Sequence, residues 1–283
     1  MKRFLAMIIS SVCIATIGVF VKLIGDSVPI MTVSFFRFFF GFLFIAVCIP
    51  FIDRNFMKVK LREMLEYALL GAFIAFDFSM YTAAFTMAPI SSVVLLSSFY
   101  PVIVAVLSYF FLREKTEKAA IISFVIAFAG LLMINPLHPD YMAGNLLALA
   151  NSFVYAILVV LMRYINKKKS IGVVFWFLMF ATLFTSPLPF IYGFGNMQSS
   201  FVWIFLLGVI STGLAYILFN FTLEKMPAEI SSVIMLTTEP VVSIVLGVIV
   251  IGESVALATI IGGLLIIMGG IILEVRGKVS KKY

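Results

Sequence analysis

Residues 90–98 read ISSVVLLSS, and residues 230–238 read ISSVIMLTT. Each copy is followed by a proline, Pro101 or Pro240, and then by an apolar run that ends at Glu114 or Glu253. The second copy follows the first by 139 residues, whether prolines or glutamates are compared (240 − 101 and 253 − 114). Because 139 is about half of the 283 residues, we predict that the chain is a duplication.

The composition is that of a membrane protein. Hydrophobic residues make up 63% of the chain and charged residues 12%, against about 25% charged residues in soluble domains. Apolar stretches of a length that spans about 30 Å of hydrocarbon as a helix recur throughout. The predicted spans are 4–24, 30–52, 64–86, 90–112, 118–136, 144–165, 171–192, 199–223, 229–251 and 255–275. We therefore predict an all-α integral membrane protein with ten transmembrane helices, the first of them a span rather than a cleaved signal peptide.

The basic residues predict how the chain is oriented. Of the 20 lysines and arginines, 18 fall at the termini, in alternate connections between spans or at the span ends beside those connections, and only Lys22 and Arg37 lie deeper within spans. Basic loops face the cytoplasm, so we predict a cell membrane protein with both termini cytoplasmic. These charges are spread over several loops facing anionic lipid, which argues against a nucleic-acid partner.

The duplication and the topology together predict inverted repeats. Residues 1–140 and 141–283 would each form a five-helix repeat, the two making one transmembrane domain. Five is odd, so the second repeat must cross the membrane in the opposite sense. Inverted repeats are typical of secondary transporters, which bind substrate near the midplane and work by alternating access. We therefore expect a transporter of small molecules embedded in a lipid bilayer.

Several short motifs resemble the EamA-type members of the drug/metabolite transporter superfamily. They are residues 18–22 (GVFVK), residues 34–37 (SFFR), Leu112-Arg113-Glu114, and Glu239-Pro240 in the ninth span. The resemblance covers nearly the whole chain and implies transport of small metabolites, often amino acids, without ATP. Ile17 replaces a tryptophan often found in the family, and Asp77 is not a general family feature. On this basis we expect a metabolite exporter, with amino acids as the first substrate choice.

The repeated prolines predict kinks in the fourth and ninth spans. A proline leaves the carbonyl four residues earlier unbonded, and nearby hydroxyls can satisfy such groups. The predicted gating and kink residues are Ser97, Ser98, Pro101, Thr237, Thr238 and Pro240. The alternative interpretation is that these are ordinary structural kinks.

Three charged residues within spans are candidates for substrate binding. Asp77 and Glu239 lie in mid-span, where a charge costs roughly 2.5–3.5 kcal/mol on insertion scales and so should face the interior or water. Asp77 would bind a substrate amine or carry a proton, or would pair structurally with Arg37 or Lys22. Arg37 would hold a substrate carboxylate, or would be an ordinary snorkelling or ion-paired arginine. Two carboxylates at similar depth also suggest proton coupling.

Polar pairs spaced four residues apart add one patch to each of three spans. These pairs are Asp77 with Tyr81, Asn151 with Tyr155, and Tyr216 with Asn220. With Glu239 and Arg37 they form the predicted substrate site. Hydrogen-bonded contacts between helices are the alternative interpretation.

The sequence argues against an enzyme, a cofactor and a metal site. His138 is the only histidine, and it has no Cys or His neighbour at metal-ligand spacing. A phosphate-binding loop is absent from the sequence, which argues against ATP-driven transport. Glycines 262, 263, 269 and 270 suit packing within the fold or a dimer interface, so a monomer and a homodimer both remain open. The alternative functions are a lipid or isoprenoid-carrier flippase and a non-transporting membrane partner protein.

Overall fold

The computed structural model describes residues 2–53, 56–57, 59–112, 118–134, 138–165, 172–223 and 228–276, and within them it is helical without strands. The α-helices are α1 (Lys2–Ala15), α2 (Ile17–Ile24), α3 (Ile30–Ile52), α4 (Leu61–Met87), α5 (Ile90–Ser97), α6 (Tyr100–Leu112), α7 (Lys118–Ile134), α8 (Met142–Ile165), α9 (Gly172–Thr185), α10 (Leu188–Tyr192), α11 (Met197–Gly208), α12 (Ala215–Leu223), α13 (Ala228–Leu246) and α14 (Leu257–Arg276). Two π-helical turns, Val209–Leu214 and Gly247–Ile251, follow α11 and α13.

Seven helical segments of the described residues are long and apolar enough to cross a membrane. The 23 residues of α3, for example, extend over about 34 Å. Three shorter apolar helices, Ile90–Val104, Phe124–Ile134 and Leu257–Ile272, fall in the remaining predicted spans. The protein is therefore a multi-pass membrane protein, while the number of ten spans stays a prediction.

Several predicted spans are interrupted rather than continuous. The first breaks at Thr16, whose hydroxyl donates to the Cys13 carbonyl. The seventh breaks between α9 and α10, where Pro187 has no N–H for a helical bond. The two prolines of the predicted repeat also differ from one another. The chain leaves the helix between α5 and α6 just before Pro101, whereas Pro240 lies inside α13.

Glycines bring helices of the two halves into close contact. A Cβ on Gly71 of α4 would lie 2.6 Å from Phe180 Cβ and 2.9 Å from the Phe177 carbonyl in α9. A Cβ on Gly208 of α11 would lie 2.6 Å from Phe40 Cβ and 2.9 Å from the Arg37 carbonyl in α3. The α4/α9 and α11/α3 contacts are thus built in the same way.

The glycines of α14 also pack within the protein. Gly262 lies against Gly130 of α7, Gly263 against Leu95 of α5, and Gly270 against Leu236 of α13. These positions use the smooth face of α14 for contacts inside one chain.

Connections between helices are tied across the two halves by hydrogen bonds. The Asn196 N–H donates to the Ser27 carbonyl at 2.7 Å, and the Thr32 hydroxyl donates to the Gly193 carbonyl at 2.7 Å. The Ile90 N–H, at the start of α5, donates to both carboxylate oxygens of Glu253 at 2.9 Å. An acidic side chain is favourable at a helix N-terminus. Its counterpart Glu114 lies outside the described residues, as do basic residues such as Arg113 and Lys115 on which the predicted orientation depends.

Candidate functional site

A cavity of about 80 Å³ lies between α1, α2, α3, α4, α8 and α13 and their neighbours. Its walls come from both halves of the chain. The lining residues are Ile14, Ile17, Arg37, Asp77, Phe78, Tyr81, Val94, Ser97, Ser98, Tyr100, Asn151, Tyr155, Tyr216, Met235 and Glu239.

The structure brings most of the predicted substrate-binding residues to this cavity. Seven of the eight line it: Arg37, Asp77, Tyr81, Asn151, Tyr155, Tyr216 and Glu239. The eighth, Asn220, is not among the lining residues, and its amide donates to the Tyr216 carbonyl of its own helix. Their common location does not test substrate binding, which remains a prediction.

Arg37 is 1% exposed and held by neutral groups. Its Nε donates to the Thr212 hydroxyl at 2.9 Å, and its Nη1 donates to the Thr82 hydroxyl at 2.9 Å. The guanidinium carbon lies 4.6 Å from the centre of the Phe78 ring, within range of a cation–π interaction. Among the described residues, no carboxylate lies within 4.0 Å of this guanidinium. Arg37 therefore does not form a structural ion pair with Asp77, and the interpretation of the sequence that proposed this pair is wrong.

Asp77 is buried, and Asn151 of α8 is its partner. The Asn151 amide donates to the Asp77 side-chain oxygen Oδ1 at 2.8 Å and to the Asp77 main-chain carbonyl at 3.0 Å. The two bonds fix the carboxylate of α4 against α8. The spacing that put Asp77 and Asn151 on polar faces of their helices gave no indication that they would bond to each other.

Glu239 is held by one longer hydrogen bond. The Tyr81 hydroxyl donates to Glu239 Oε1 at 3.2 Å, joining α4 of the first half to α13 of the second. Glu239 directly precedes Pro240, which is buried. Of the two carboxylates, Glu239 therefore has the weaker attachment.

The charged residues and two tyrosines of the cavity have polar atoms that are not hydrogen-bonded to the described part of the protein. Within the described residues, Arg37 Nη2, Asp77 Oδ2, Glu239 Oε2 and the hydroxyls of Tyr155 and Tyr216 have no hydrogen-bond partner, and none of these atoms is fully enclosed by protein. Because all five residues line the same cavity, the cavity presents a positive donor, two acidic acceptors and two hydroxyls. Such a set can bind a solute that carries opposite charges.

The predicted kink residues divide between the cavity and its surroundings. Ser97 and Ser98 line the cavity, with the Ser97 hydroxyl donating to the Ala148 carbonyl of α8 at 3.3 Å and the Ser98 hydroxyl to the Val94 carbonyl at 2.7 Å. The other four, Pro101, Thr237, Thr238 and Pro240, are not among the lining residues. Thr237 donates to the Ile234 carbonyl at 3.2 Å, so its hydroxyl bonds within its own helix.

Sequence reasoning missed two aromatic residues of the site and the two threonines that hold Arg37. Phe78 and Tyr100 supply aromatic rings, and Thr82 and Thr212 hold the guanidinium. Phe78 and Thr82, spaced i and i+4 on α4, carried a weak helical-face signal. Thr212 carried none, because it lies in a π-helical turn that shifts the register of the helix.

A second, apolar crevice of about 330 Å³ lies on the opposite face of α4. Phe76 and Phe184, two of its lining residues, are 58% and 48% exposed. Among the described residues that line it, Ser79 and Thr185 carry the only side-chain hydroxyls, and none is charged. This crevice can accommodate hydrocarbon but offers little to a charged group.

Comparison with known proteins identifies a transporter family and relatives that are named as transporters. The profile of the EamA-like transporter family matches residues 1–135 and 142–275. An uncharacterized transporter of Archaeoglobus fulgidus is 28% identical over 271 residues, covering 94% of each chain. An S-adenosylmethionine uptake transporter of Rickettsia prowazekii is 23% identical over 200 residues, covering 70% of this chain and 66% of that protein. A crystal structure of 17% sequence identity superposes with a TM-score of 0.66 over 96% of each chain, which shows a shared fold.

Proposed function

Since this chain belongs to the EamA-like transporter family, we propose that it is a secondary-active transporter of small solutes that carry an amino and a carboxylate group. Amino acids are the first choice of substrate, and export from the cytoplasm is the proposed direction. The protein would lie in the cell membrane with both termini cytoplasmic. The observation that carries this proposal is the cavity that joins Arg37, Asp77 and Glu239, each held by neutral partners.

The chemistry of the cavity suits an amino acid. The guanidinium of Arg37 would bind the solute carboxylate, for which its planar fork is suited. The free oxygens of Asp77 and Glu239 would accept hydrogen bonds from the solute ammonium group. Tyr81, Tyr155 and Tyr216 would pack against the side chain through their rings and bond polar groups through their hydroxyls. Binding energy would thus come from both charged ends of the solute.

Matching contacts support an inverted duplication and alternating access. Gly71 packs on α9 as Gly208 packs on α3, and α3 and α9 occupy corresponding places in the two halves. The partner carbonyls, those of Phe177 and Arg37, are 140 residues apart (177 − 37), close to the repeat distance of the prolines. The family profile also matches the chain in two successive stretches. Inverted repeats of this kind can rock about a central site.

The kinked helices are the proposed moving parts. The break before Pro101 and the proline inside α13 lie beside the cavity, where Ser97 and Glu239 line it. Bending at Pro240 would move Glu239 away from Tyr81, because the two residues belong to different halves. Glu239 would then bind the solute ammonium or a coupled proton in one state and release it in the other.

The two alternative functions have less support. A lipid flippase needs a lateral groove for a headgroup as well as for a chain, and none of the described residues that line the second, apolar crevice is charged. A non-transporting membrane partner protein would pack its buried polar residues against one another. Here five residues with unbonded polar atoms line a cavity instead. A transporter is therefore the function that the site supports best.

Flux measurements in proteoliposomes test the proposal. A panel of labelled L-amino acids is supplied inside or outside the vesicles, with and without a pH gradient. S-adenosylmethionine belongs in the panel, because it carries the same amino and carboxylate groups and several relatives are named as its uptake transporters. We expect saturable flux of at least one solute with both groups, lost in the Arg37→Met variant. Flux of lipids alone, or no flux of any panel member, would contradict the proposed function.

A further inference from the structure

The hydroxyls of Thr82 and Thr212 can only accept hydrogen bonds from Arg37, because their own protons are already used. A threonine hydroxyl has one proton. Thr82 donates that proton to the Phe78 carbonyl of α4 at 2.6 Å, and Thr212 donates to the Leu207 carbonyl at 3.1 Å. Both oxygens can therefore only accept from Arg37. The two threonines orient the guanidinium by their positions on the backbone rather than by neutralising its charge.

The orientation leaves most of the guanidinium available. Nε uses its single N–H on Thr212, and Nη1 uses one N–H on Thr82. Within the described residues, the remaining three of the five N–H groups of an arginine have no protein acceptor. The guanidinium carbon lies over the Phe78 ring, 4.6 Å from its centroid, and this contact also restricts movement of the group. The free N–H groups belong to the nitrogens that are farthest from the Arg37 backbone.

A π-helical turn places Thr212 where it can reach Arg37. Thr212 lies in the π-helical turn Val209–Leu214, and its side-chain hydroxyl donates to the Leu207 carbonyl, five residues back. The neighbouring Ser211 faces another helix, where its hydroxyl lies 2.7 Å from the hydroxyl of Thr16. One extra residue in the turn thus allows adjacent side chains to face α3 and the α1/α2 break.

Burying an arginine without a carboxylate partner is costly. A site that nevertheless holds its guanidinium in one orientation, with free N–H groups beside a cavity, is organised for an anion that arrives from outside the protein. We propose that Thr82 and Thr212 are positioning residues that orient Arg37 to bind the carboxylate of the transported solute. This inference rests on the proposed function and identifies the residues that set its preference for a carboxylate.

The test compares each amino acid with the amine that remains when its carboxylate is removed. Probes are the proteinogenic L-amino acids and these amines, and binding to the purified full-length chain is measured by ligand-induced thermal stabilisation. Thr82→Val and Thr212→Val keep the side-chain shape but remove the acceptor. The serine variants Thr82→Ser and Thr212→Ser restore the hydroxyl. Thr185→Val is the matched control, because Thr185 is also buried and its hydroxyl bonds the Ala181 and Thr182 carbonyls of its own helix.

We expect the valine variants to weaken amino-acid binding about tenfold, the scale of one hydrogen bond to a charged group. Binding of the amines should stay within about twofold, since they do not use Arg37. The serine variants and Thr185→Val should behave as the wild type. A size-exclusion profile identifies any valine variant that fails to fold, and the corresponding alanine variant, which also lacks the hydroxyl, then decides the outcome.

Two results would overturn the inference in different ways. If the valine variants weaken the amino acid and its amine equally, or weaken neither, Thr82 and Thr212 do not serve carboxylate binding, while the proposed function stands. If no amino acid binds even the wild type, the proposed substrate class fails, and this inference fails with it. Wild-type binding therefore separates the two failures.

Discussion

Replacing Arg37 with methionine should abolish transport while leaving the protein folded. Methionine is long and flexible and can fill most of the space of the arginine stem. The substitution removes two hydrogen bonds and a cation–π contact, the latter worth about 0.5–2 kcal/mol. It also removes the desolvation cost of a buried charge, which is several kcal/mol. These terms oppose one another and are of similar size.

No partner of Arg37 is left in an unfavourable state. Thr82 and Thr212 still donate to the carbonyls of their own helices. Among the described residues, no carboxylate loses an ion pair. We therefore expect the free energy of unfolding to change by at most about 2 kcal/mol, against the 3–5 kcal/mol that is lost when a buried ion pair is broken.

Denaturant unfolding in mixed micelles and amino-acid flux in proteoliposomes measure the two effects. Arg37→Lys is the control, because it keeps the positive charge but loses the planar fork, and its flux should also fall. A loss of about 3 kcal/mol or more in Arg37→Met would show that the arginine is structural. Flux that persists in Arg37→Met would show that the solute does not use it.

Three further predictions concern other parts of the site and the packing around it. Asn151→Leu should lower the free energy of unfolding by about 3 kcal/mol, because it removes both donors from Asp77, and replacing Asp77 with leucine in the same chain should recover most of that loss. Glu239→Gln should weaken solute binding without abolishing it, because the amide oxygen still accepts a hydrogen bond, and should make flux in proteoliposomes insensitive to a pH gradient, since the amide cannot carry a proton. Gly71→Ala and Gly208→Ala should each lower the free energy of unfolding by about 1–3 kcal/mol, because each new Cβ would lie 2.6 Å from a phenylalanine Cβ.

Two other residues of α4, Glu66 and Ala72, provide matched controls. Glu66→Gln changes a half-buried glutamate in the second turn of α4, which is paired with Arg62 at 3.7 Å, and should leave the pH response intact. A pH response that survives in Glu239→Gln would assign proton coupling elsewhere. Ala72→Val, at an exposed position beside Gly71, should change stability by no more than about 0.5 kcal/mol. Unequal effects of the two glycine substitutions would argue against equivalent packing in the two halves.

The polar face of each helix was predictable from sequence, but its bonding partners were not. Asp77 with Tyr81 and Asn151 with Tyr155 are spaced to share a helix face, and all four residues line the cavity. The sequence offered Arg37 or Lys22 as the partner of Asp77, whereas the structure gives Asn151. Partners across helices depend on which helices pack together, and helical periodicity contains no such information.

Local irregularities of the helices were also beyond the sequence. The repeat predicted the same kink at Pro101 and Pro240, yet the helix ends before the first and continues through the second. The first copy has one additional residue before its proline, which gives the chain room to leave the helix. Thr212 was missed because one extra residue in a π turn rotates every later side chain.

The bond between Asn196 and Ser27 has a practical consequence for mutagenesis. It joins a main-chain N–H to a main-chain carbonyl, so an alanine scan would pass over both positions without disturbing it. Gly195, next to Asn196, has φ +58°, and a Cβ added to it would clash with the Ser27 carbonyl. Any side chain placed there acts as a wedge. A search for variants in which the connections at Ser27 and Asn196 are held apart should therefore begin with substitutions of Gly195, which has no side chain for an alanine scan to remove.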